Sequence, residues 1–262
     1  MLNLLEPGKV TDRGLVRGHN EDALGCFVPQ DPVVLASKGC LYVVADGIGG
    51  ARAGEVASAC AVEWIGKSYY DSPAVDEVES LRAAFQAAHE EILRQAVQRD
   101  APGMGTTAVA LVVLGSQAVV ANVGDSPAYL VRRGQGRQLS EEHSWVALAL
   151  AEGLITPDQA ERFPHRHVIT RNLGMEKPLE VYFSPAIPLE PGDSLLLCSD
   201  GLSNLVTLEE IAATAGNQAL SPQEAVQQLA SLALQRGAPD NVTAVLVRVS
   251  AFPARPAGPG ES

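Results

Sequence analysis

Four short acidic motifs, widely separated along the chain, contain the residues best suited to chemistry. They are Asn20-Glu21-Asp22, Asp46-Gly47-Ile48-Gly49-Gly50, Ser199-Asp200-Gly201 and Asp240-Asn241. Apolar runs typical of buried strands lead into the second and third motifs and out of the fourth. A carboxylate at the end of a buried strand is costly unless it is paired or bound to a cation, and several together repel each other. The pattern therefore indicates a site for a divalent cation, and we expect two.

The candidate ligands in these motifs are oxygen atoms, because the motifs contain neither histidine nor cysteine. Oxygen ligands select hard cations such as Mg²⁺ or Mn²⁺ over zinc. Glycine after Asp46 and after Asp200 lets the backbone approach closely and can expose a carbonyl oxygen as a further ligand. Two such ions roughly 3.5–4 Å apart form a clamp for in-line attack at phosphorus and lower the pKa of a bridging water.

A phosphate ester also needs a cationic anchor, and Arg17 is the candidate. It lies four residues before Glu21 and five before Asp22. A guanidinium fork matches two phosphate oxygens, which a lysine cannot do geometrically. The residues by themselves therefore favour metal-assisted chemistry on a phosphate ester.

The elements that must position these motifs can be predicted from the apolar periodicity. We predict strands over residues 40–45, 106–114, 118–123, 128–132, 179–183, 194–198 and 241–249, and helices over 53–69, 78–100, 144–151, 157–163, 208–215 and 222–235. Short turns join the second, third and fourth strands, which predicts an antiparallel meander. Helices fall in pairs between groups of strands, so we expect an α+β fold of two packed antiparallel sheets with helices on the outer faces.

Composition excludes several classes of function. The 262 residues are 46% hydrophobic and carry a net charge of −12, which argues against binding to nucleic acid or to an anionic membrane. The longest apolar region is interrupted by polar residues, and the first residues do not resemble a signal peptide. The four cysteines form no CxxC pair, which favours buried thiols in a reducing compartment. We expect a soluble cytoplasmic protein.

Eight segments in order carry a resemblance to a known family. They are residues 11–22, 44–50, 54–58, 103–107, 122–126, 170–174, 197–202 and 240–243. This series resembles the metal-dependent Ser/Thr protein phosphatases of type 2C, the PPM family, in their compact bacterial form. One motif alone would be weak evidence, whereas the order and spacing cover nearly the whole chain.

The resemblance implies a fold, an activity and partners. The fold would be a four-layer αββα sandwich over residues 1–250, with the metal site at one end, a flap at about residues 144–174 and a disordered Pro/Gly-rich tail over 251–262. The activity would be Mg²⁺- or Mn²⁺-dependent hydrolysis of phosphoserine and phosphothreonine in proteins. A metal-activated water would attack phosphorus directly, without a covalent phosphoenzyme. The substrates would be targets of a Ser/Thr kinase, and the enzyme would be a monomer.

The resemblance also implies roles for single residues around two metal ions. Asp46 would bridge both ions, and Gly47 would offer its carbonyl oxygen to one of them. Asp200 and Asp240 would hold the other ion. Arg17 would bind the substrate phosphate.

The remaining implied roles concern water and a third ion. Glu21 and Asp22 would lie beside the metal-bound waters, as ligands or next to the ligands. Asp125 would help to hold a third, weaker ion. Asn241 would orient a metal-bound water.

Two residues depart from the pattern of the family. Ile48 stands where many eukaryotic members have a histidine proposed as general acid, so the leaving group must be protonated by another group. Pro127 replaces an arginine that often follows Gly-Asp-Ser. Bacterial members commonly have an apolar residue at the position of Ile48, so this departure does not indicate an inactive enzyme. Two alternatives stay open: a regulatory binder of phosphoproteins with weak turnover, and an enzyme for another phosphorus ester such as a phosphodiester or a small phosphometabolite.

Overall fold

The computed structural model describes residues 5–48, 53–161, 163 and 168–250. Gly49 and Gly50 of the second motif, the middle of the predicted flap and the predicted tail over 251–262 lie outside the described residues. The strands are β1 Leu5–Asp12, β2 Asp22–Phe27, β3 Cys40–Asp46, β4 Ala108–Leu114, β5 Gln117–Val123, β6 Ala128–Arg132, β7 Gln135–Gln138, β8 Tyr182–Phe183, β9 Ile187–Pro188, β10 Ser194–Cys198 and β11 Val242–Val249. The helices are α1 Pro32–Lys38, α2 Gly54–Asp71, α3 Glu77–Gln98, α4 Trp145–Ala151, α5 Pro157–Glu161, α6 Asp200–Ser203, α7 Leu208–Ala215 and α8 Pro222–Gln235.

The strands form two antiparallel sheets that pack face to face. Sheet 1 has the order β1-β11-β10-β6-β7, and sheet 2 has the order β2-β3-β4-β5-β8, with β9 also paired to β5. Helices α2 and α3 cover the outer face of sheet 2, and helices α6, α7 and α8 cover that of sheet 1. The prediction of an α+β sandwich of two antiparallel sheets flanked by helices is confirmed.

Strand β3 shows why a continuous apolar run is needed in the middle of such a sandwich. Successive side chains of a strand point to opposite faces. Leu41, Val43 and Ala45 pack against α2 and α3, whereas Tyr42 and Val44 pack between the sheets. All five are fully buried, so both faces of the strand exclude water. Asp46, which ends this strand, therefore lies at the edge of a well-packed core.

The predicted meander is wrong in its third strand. Strands β4 and β5 form the expected hairpin in sheet 2, but β6 pairs with β10 and β7 in sheet 1. Residues 124–127 carry the chain from one sheet to the other. Gly124 has a φ of 102°, and a Cβ there would lie 2.6 Å from the Thr107 side chain. A short connection therefore does not guarantee pairing when a glycine redirects the backbone between layers.

The sequence pattern also missed strands at the sheet edges. The elements that were not predicted are strands β1, β2, β7 and β9 and helices α1 and α6, and the strand expected over 179–183 shortens to Tyr182–Phe183. Pro7 and Gly8 lie within β1, where they weaken the strand signal, but an edge strand tolerates proline. Helices α7 and α8 and strand β10 have the predicted bounds, and both helices begin with a capping box at Thr207 and Ser221.

The cysteines and the apolar helices were the other features considered from composition. All four cysteines lie in the described residues and are free, with Cys40, Cys60 and Cys198 buried and Cys26 half-buried. Among the described helices, none combines the length and the apolar character that crossing a bilayer requires.

Candidate metal centre and active site

Two strands of sheet 2 bring the first pair of acidic residues together. Strands β2 and β3 are antiparallel, and their register places Asp22 directly opposite Asp46. Residues opposite each other in an antiparallel pair have their side chains on the same face. The backbone of Asp46 is fixed as well, because its N–H donates to Thr107 Oγ1 at 3.1 Å and its carbonyl accepts from Thr106 Oγ1 at 2.8 Å. Two carboxylates are thus held side by side at the end of the sheet.

Two strands of sheet 1 supply the second pair. Strands β10 and β11 are antiparallel, so the end of β10, which leads into Asp200, lies beside the start of β11, which follows Asp240. The two segments touch so closely that a Cβ at Gly201 would lie 2.0 Å from Asn241 O. Only glycine permits this approach. The two sheets therefore present their acidic residues at one end of the sandwich.

Electrostatic coupling shows that these carboxylates converge. Burial raises the pKa of Asp46 well above its ordinary value, and Asp22, Asp200, Asp125 and Asp240 raise it further. Burial, with smaller contributions from Asp200 and Asp240, likewise raises the pKa of Asp22 to about 6. Such a concentration of negative charge is what a bound cation would relieve.

Asp125 acts electrostatically on the same group of carboxylates. Burial, followed by the charge of Asp200, raises its pKa to about 7. Its electrostatic neighbours are Asp200, Asp46 and Glu142, whereas those of Asp22 include Asp240. Asp125 therefore belongs to the same group of carboxylates, and Asp200 is its main charged neighbour.

One carboxylate oxygen in this cluster has no hydrogen-bond partner although it is buried. Ser199 Oγ donates to Asp22 Oδ2 at 2.8 Å, and Thr243 also supports this carboxylate. Asp22 Oδ1 is buried and unpartnered. A buried unpaired oxygen is expensive unless a ligand satisfies it. Sequence reasoning gave Ser199 and Thr243 no role, although both stand inside the quoted motifs.

The donor set fits a hard cation that keeps part of its water shell. In the described residues, no three acidic, histidine or cysteine side chains converge tightly enough to enclose an ion by themselves. Mg²⁺ is usually held by one or two carboxylates and keeps several waters, so a loose carboxylate cluster with backbone oxygens suits it.

Gly47 and Glu21 lie at the edge of the cluster. Gly47 N–H donates to Glu21 O at 3.1 Å, and a Cβ at Gly47 would lie 2.4 Å from Gly54 O. Ser58 Oγ donates to the same Glu21 carbonyl at 2.6 Å. Burial, followed by the charge of Glu55, raises the pKa of Glu21. The close packing requires glycine at 47, and Glu21 sits at the margin rather than in the buried centre.

Arg17 forms an ion pair with one of the acidic residues. Its Nη2 lies 2.7 Å from Asp240 Oδ2, and the two side chains are 42% and 34% exposed. This hydrogen bond is the main reason that the pKa of Arg17 is raised. The structure thus brings the predicted phosphate anchor to the predicted metal centre.

Asn241 makes contacts that differ from its expected role. Its Oδ1 accepts from Glu21 N–H at 2.8 Å, and its Nδ2 donates to Arg13 O at 2.8 Å and to His19 O at 2.9 Å. Both amide N–H groups are therefore used by backbone carbonyls. The described contacts make Asn241 a clamp on the loop that carries Arg17, and its orientation of a water stays a prediction.

The two ends of the predicted flap lie beside the turn that precedes Asp125. His143 and Gly124 exchange hydrogen bonds, since His143 N–H donates to Gly124 O and Gly124 N–H donates to His143 Nδ1, both at 3.1 Å. Thr170 N–H donates to His143 O at 2.8 Å, and Ser144 forms an isolated antiparallel β-bridge with Ile169. The two ends of the predicted flap are thus joined to each other and to the turn before Asp125.

Comparison with known proteins decides the family. The family model described as Protein phosphatase 2C matches residues 18–246. The chain belongs to this family. The expected family and the expectation that the chain is a phosphatase are thereby confirmed.

Relatives of this phosphatase are similar along most of their length. The serine/threonine phosphatase stp of Listeria innocua is 37% identical over 246 residues, which cover 90% of this chain and 93% of that protein. The structure of the Streptococcus agalactiae serine/threonine phosphatase matches with a TM-score of 0.84 at 32% identity, covering 94% of this chain and 100% of that one. The catalytic domain of the phosphatase PstP, solved in complex with two manganese ions, matches with a TM-score of 0.78 at 35% identity, covering 94% and 99%.

Proposed function

We propose that this 2C phosphatase hydrolyses phosphoserine and phosphothreonine in proteins and that it depends on Mg²⁺ or Mn²⁺. The observation that carries the proposal is the half-buried pair of Asp22 and Asp46, which stand opposite each other in register, with one buried carboxylate oxygen of Asp22 that has no hydrogen-bond partner. The similarity to phosphatases named for serine and threonine substrates supports the substrate class. The relative solved with two manganese ions supports the cofactor.

The residues that would hold two ions come from both sheets. Asp46 would help to hold both ions, the Gly47 carbonyl would be a ligand for one, and Asp200 and Asp240 would be ligands for the other. Asp22 would contribute through Oδ1, because Ser199 already holds its Oδ2. When bound, the ions would supply Lewis acidity at the phosphate and a water of lowered pKa. Asp125 would serve a third, weaker ion.

The remaining chemistry belongs to Arg17, which would bind and orient the phosphate. Asp240 occupies one N–H of the guanidinium, and an arginine has five N–H donors in a planar fork. The remaining donors can meet two phosphate oxygens, and the ion pair keeps the guanidinium at the acidic centre. Ile48 has no proton to donate, so its side chain contributes only an apolar contact beside the site.

The cellular setting belongs to the proposal. We infer a cytoplasmic monomer that acts on targets of a Ser/Thr kinase. The net charge of −12 disfavours binding to nucleic acid or to anionic lipid.

A phosphothreonine peptide tests the proposal most directly. Phosphate release is measured with Mn²⁺ and with EDTA, for the wild type, for Asp200→Asn and for the exposed control Asp71→Asn. We expect Mn²⁺-dependent release that Asp200→Asn abolishes and Asp71→Asn retains. Release that persists in EDTA would refute metal dependence. A folded wild type without release, yet able to bind the peptide, would favour the regulatory-binder reading.

The anchoring role of Arg17 has its own test. Arg17→Ala should raise KM for phosphate esters about tenfold or more, because a charge-assisted contact contributes about 1.5–3 kcal/mol. The exposed Arg137→Ala in β7 is the matched control and should leave KM unchanged. An unchanged KM in Arg17→Ala would remove Arg17 from the site.

A further inference from the structure

The loop that carries Arg17 is held rigidly although it has no regular structure. The buried Asn241 side chain bonds to the backbone of Arg13, His19 and Glu21, so one amide closes both ends of the loop. The amide is buried, and these contacts therefore gain from a low-dielectric setting. The loop is ordered before any substrate arrives.

The start of the same loop is packed against the segment before β11. Gly14 has a φ of 75°, and a Cβ there would lie 2.1 Å from Asp240 O. Its N–H donates to Asp12 Oδ1 at 2.8 Å, and Leu15 N–H donates to Ala238 O at 2.9 Å. The backbone is thus fixed up to the residue that precedes Val16.

The fixed loop presents two apolar side chains to solvent directly beside the phosphate anchor. Leu15 is 63% exposed and Val16 is 71% exposed, and Arg17 follows them. Consecutive Cα atoms lie 3.8 Å apart, so both side chains lie within reach of residues that flank a phosphate held by Arg17. Single exposed apolar residues are common, but these two are adjacent and lie next to the proposed site. Because the loop backbone is already ordered, binding a substrate there would cost little further conformational entropy.

We propose that Leu15, Val16 and Arg17 form a substrate lip that selects phosphorylated segments with an apolar side chain next to the phosphorylated residue. This inference rests on the proposed function and adds the substrate class to it. Arg17 would hold the phosphate while Leu15 and Val16 cover the neighbouring apolar side chain. An acidic neighbour would be disfavoured, because the negative charges of Asp240, Glu21 and Asp46 already act on Arg17.

Two phosphothreonine peptides of equal charge test the lip. In one, leucine occupies the positions on both sides of the phosphothreonine, and in the other these positions are serine. We expect the wild type to prefer the leucine peptide by about five- to tenfold in kcat/KM, which corresponds to partial burial of one or two apolar side chains. In Leu15→Ser/Val16→Ser the ratio should fall to near one.

The matched control replaces two valines elsewhere that are even more exposed than Leu15 and Val16. Val75 is 91% exposed and Val97 is 83% exposed, so Val75→Ser/Val97→Ser changes the surface by a similar amount. We expect this control to keep the preference of the wild type. Leu15→Ser/Val16→Ser is also examined by sedimentation, because a second copy of this chain is the competing occupant.

The outcomes separate this inference from the proposed function. Hydrolysis of p-nitrophenyl phosphate by the wild type establishes the phosphatase independently of any peptide. Given that activity, a wild-type ratio near one, or a ratio that survives Leu15→Ser/Val16→Ser, would overturn the lip. A change of oligomeric state in the variant without a change of ratio would assign the surface to self-association instead. Absence of all turnover in a metal-loaded wild type would overturn both proposals.

Discussion

The carboxylates at the two ends of strand β10 have opposite surroundings. At the start of the strand, Asp193 is 1% exposed and receives two hydrogen bonds from Arg132, at 2.8 and 2.7 Å. At the other end, the strand leads into Asp200 beside Asp22 and Asp46, where burial and neighbouring carboxylates raise the pKa of both Asp22 and Asp46. One end satisfies its charge with a protein cation, and the other end concentrates charge.

The serines at the two ends repeat this contrast. Ser194 and Ser199 are both fully buried. Ser194 Oγ donates to Ala215 O at 2.8 Å and thereby ties the sheet to helix α7. Ser199 Oγ donates to Asp22 Oδ2 and accepts from Thr243 N–H at 3.0 Å, so its direction is fixed. The end with the Arg132 ion pair stabilises the fold, whereas the end where several carboxylates crowd together is destabilising in itself and suits a ligand site.

The largest expected effect is on turnover at the acidic end. Asp46→Asn should lower kcat by about 10³-fold or more, because metal-assisted stabilisation of the transition state is worth several kcal/mol. The variant should remain folded, since it removes one of several mutually repelling charges. Turnover measured with saturating Mn²⁺, together with circular dichroism, checks both statements. Near-wild-type activity would refute the central role of Asp46.

At the paired end, the same kind of substitution should cost stability rather than activity. Asp193→Asn should lower the free energy of unfolding by about 3 kcal/mol, because it breaks a buried ion pair whose arginine is partly exposed. Urea unfolding measures the loss, and kcat per folded molecule should stay within about twofold of the wild type. If Asp193→Asn instead lowered kcat as Asp46→Asn does, the two ends would not differ as we describe.

The matched serines give a finer test of the contrast. Ser199→Ala should raise the Kd for Mn²⁺ about 10–100-fold, because residues that orient a ligand typically contribute that much to metal affinity. Ser194→Ala should leave the Kd unchanged while it costs about 1 kcal/mol of stability. Isothermal titration with Mn²⁺ measures affinity without turnover. Equal effects of the two substitutions on Kd would mean that Ser199 acts only through stability.

The smallest effect concerns pH in the metal-free protein. The pKa of Asp22 is raised to about 6 and that of Asp125 to about 7. A carboxyl with a raised folded-state pKa stabilises the fold at low pH and loses that contribution as pH rises through the raised value. In EDTA, the wild type should therefore lose on the order of 2 kcal/mol between pH 5 and pH 8 relative to Asp22→Asn/Asp125→Asn.

The double variant is the appropriate reference because other groups titrate in the same range. Burial lowers the pKa of His89 and of His143, which gives a pH dependence of opposite sign in both proteins and cancels in the difference. Urea unfolding at several pH values supplies the measurement. If the wild type instead gained stability relative to the double variant as the pH rises from 5 to 8, the sign argued here would be wrong. Excess Mn²⁺ should remove the pH dependence.

Most residues of the candidate site could be predicted from the sequence, because each stands next to a recognisable apolar run or within a short motif. Asp46 and Asp200 follow apolar strands, and Asp240 precedes one, so their placement at strand ends could be read directly. Asp22 was identified through its motif, although strand β2 behind it was not predicted. Ser199 and Thr243, which contact Asp22, were missed, because a hydroxyl near an acidic residue in the sequence gives no signal until the distance between them is known.

What the sequence determined by itself was the class of chemistry, the main carboxylates and the alternation of strands and helices, because residue type and periodicity are local properties. The tertiary structure alone decided which aspartate pairs with which arginine, as in Asp240 with Arg17 and Asp193 with Arg132. It placed β6 in sheet 1, set Asp22 opposite Asp46, and turned Asn241 toward the Arg17 loop. These facts depend on register and on contacts across more than 200 residues of chain, such as that between Asn241 and His19, 222 residues apart. Such long-range contacts are made only when the two sheets pack together.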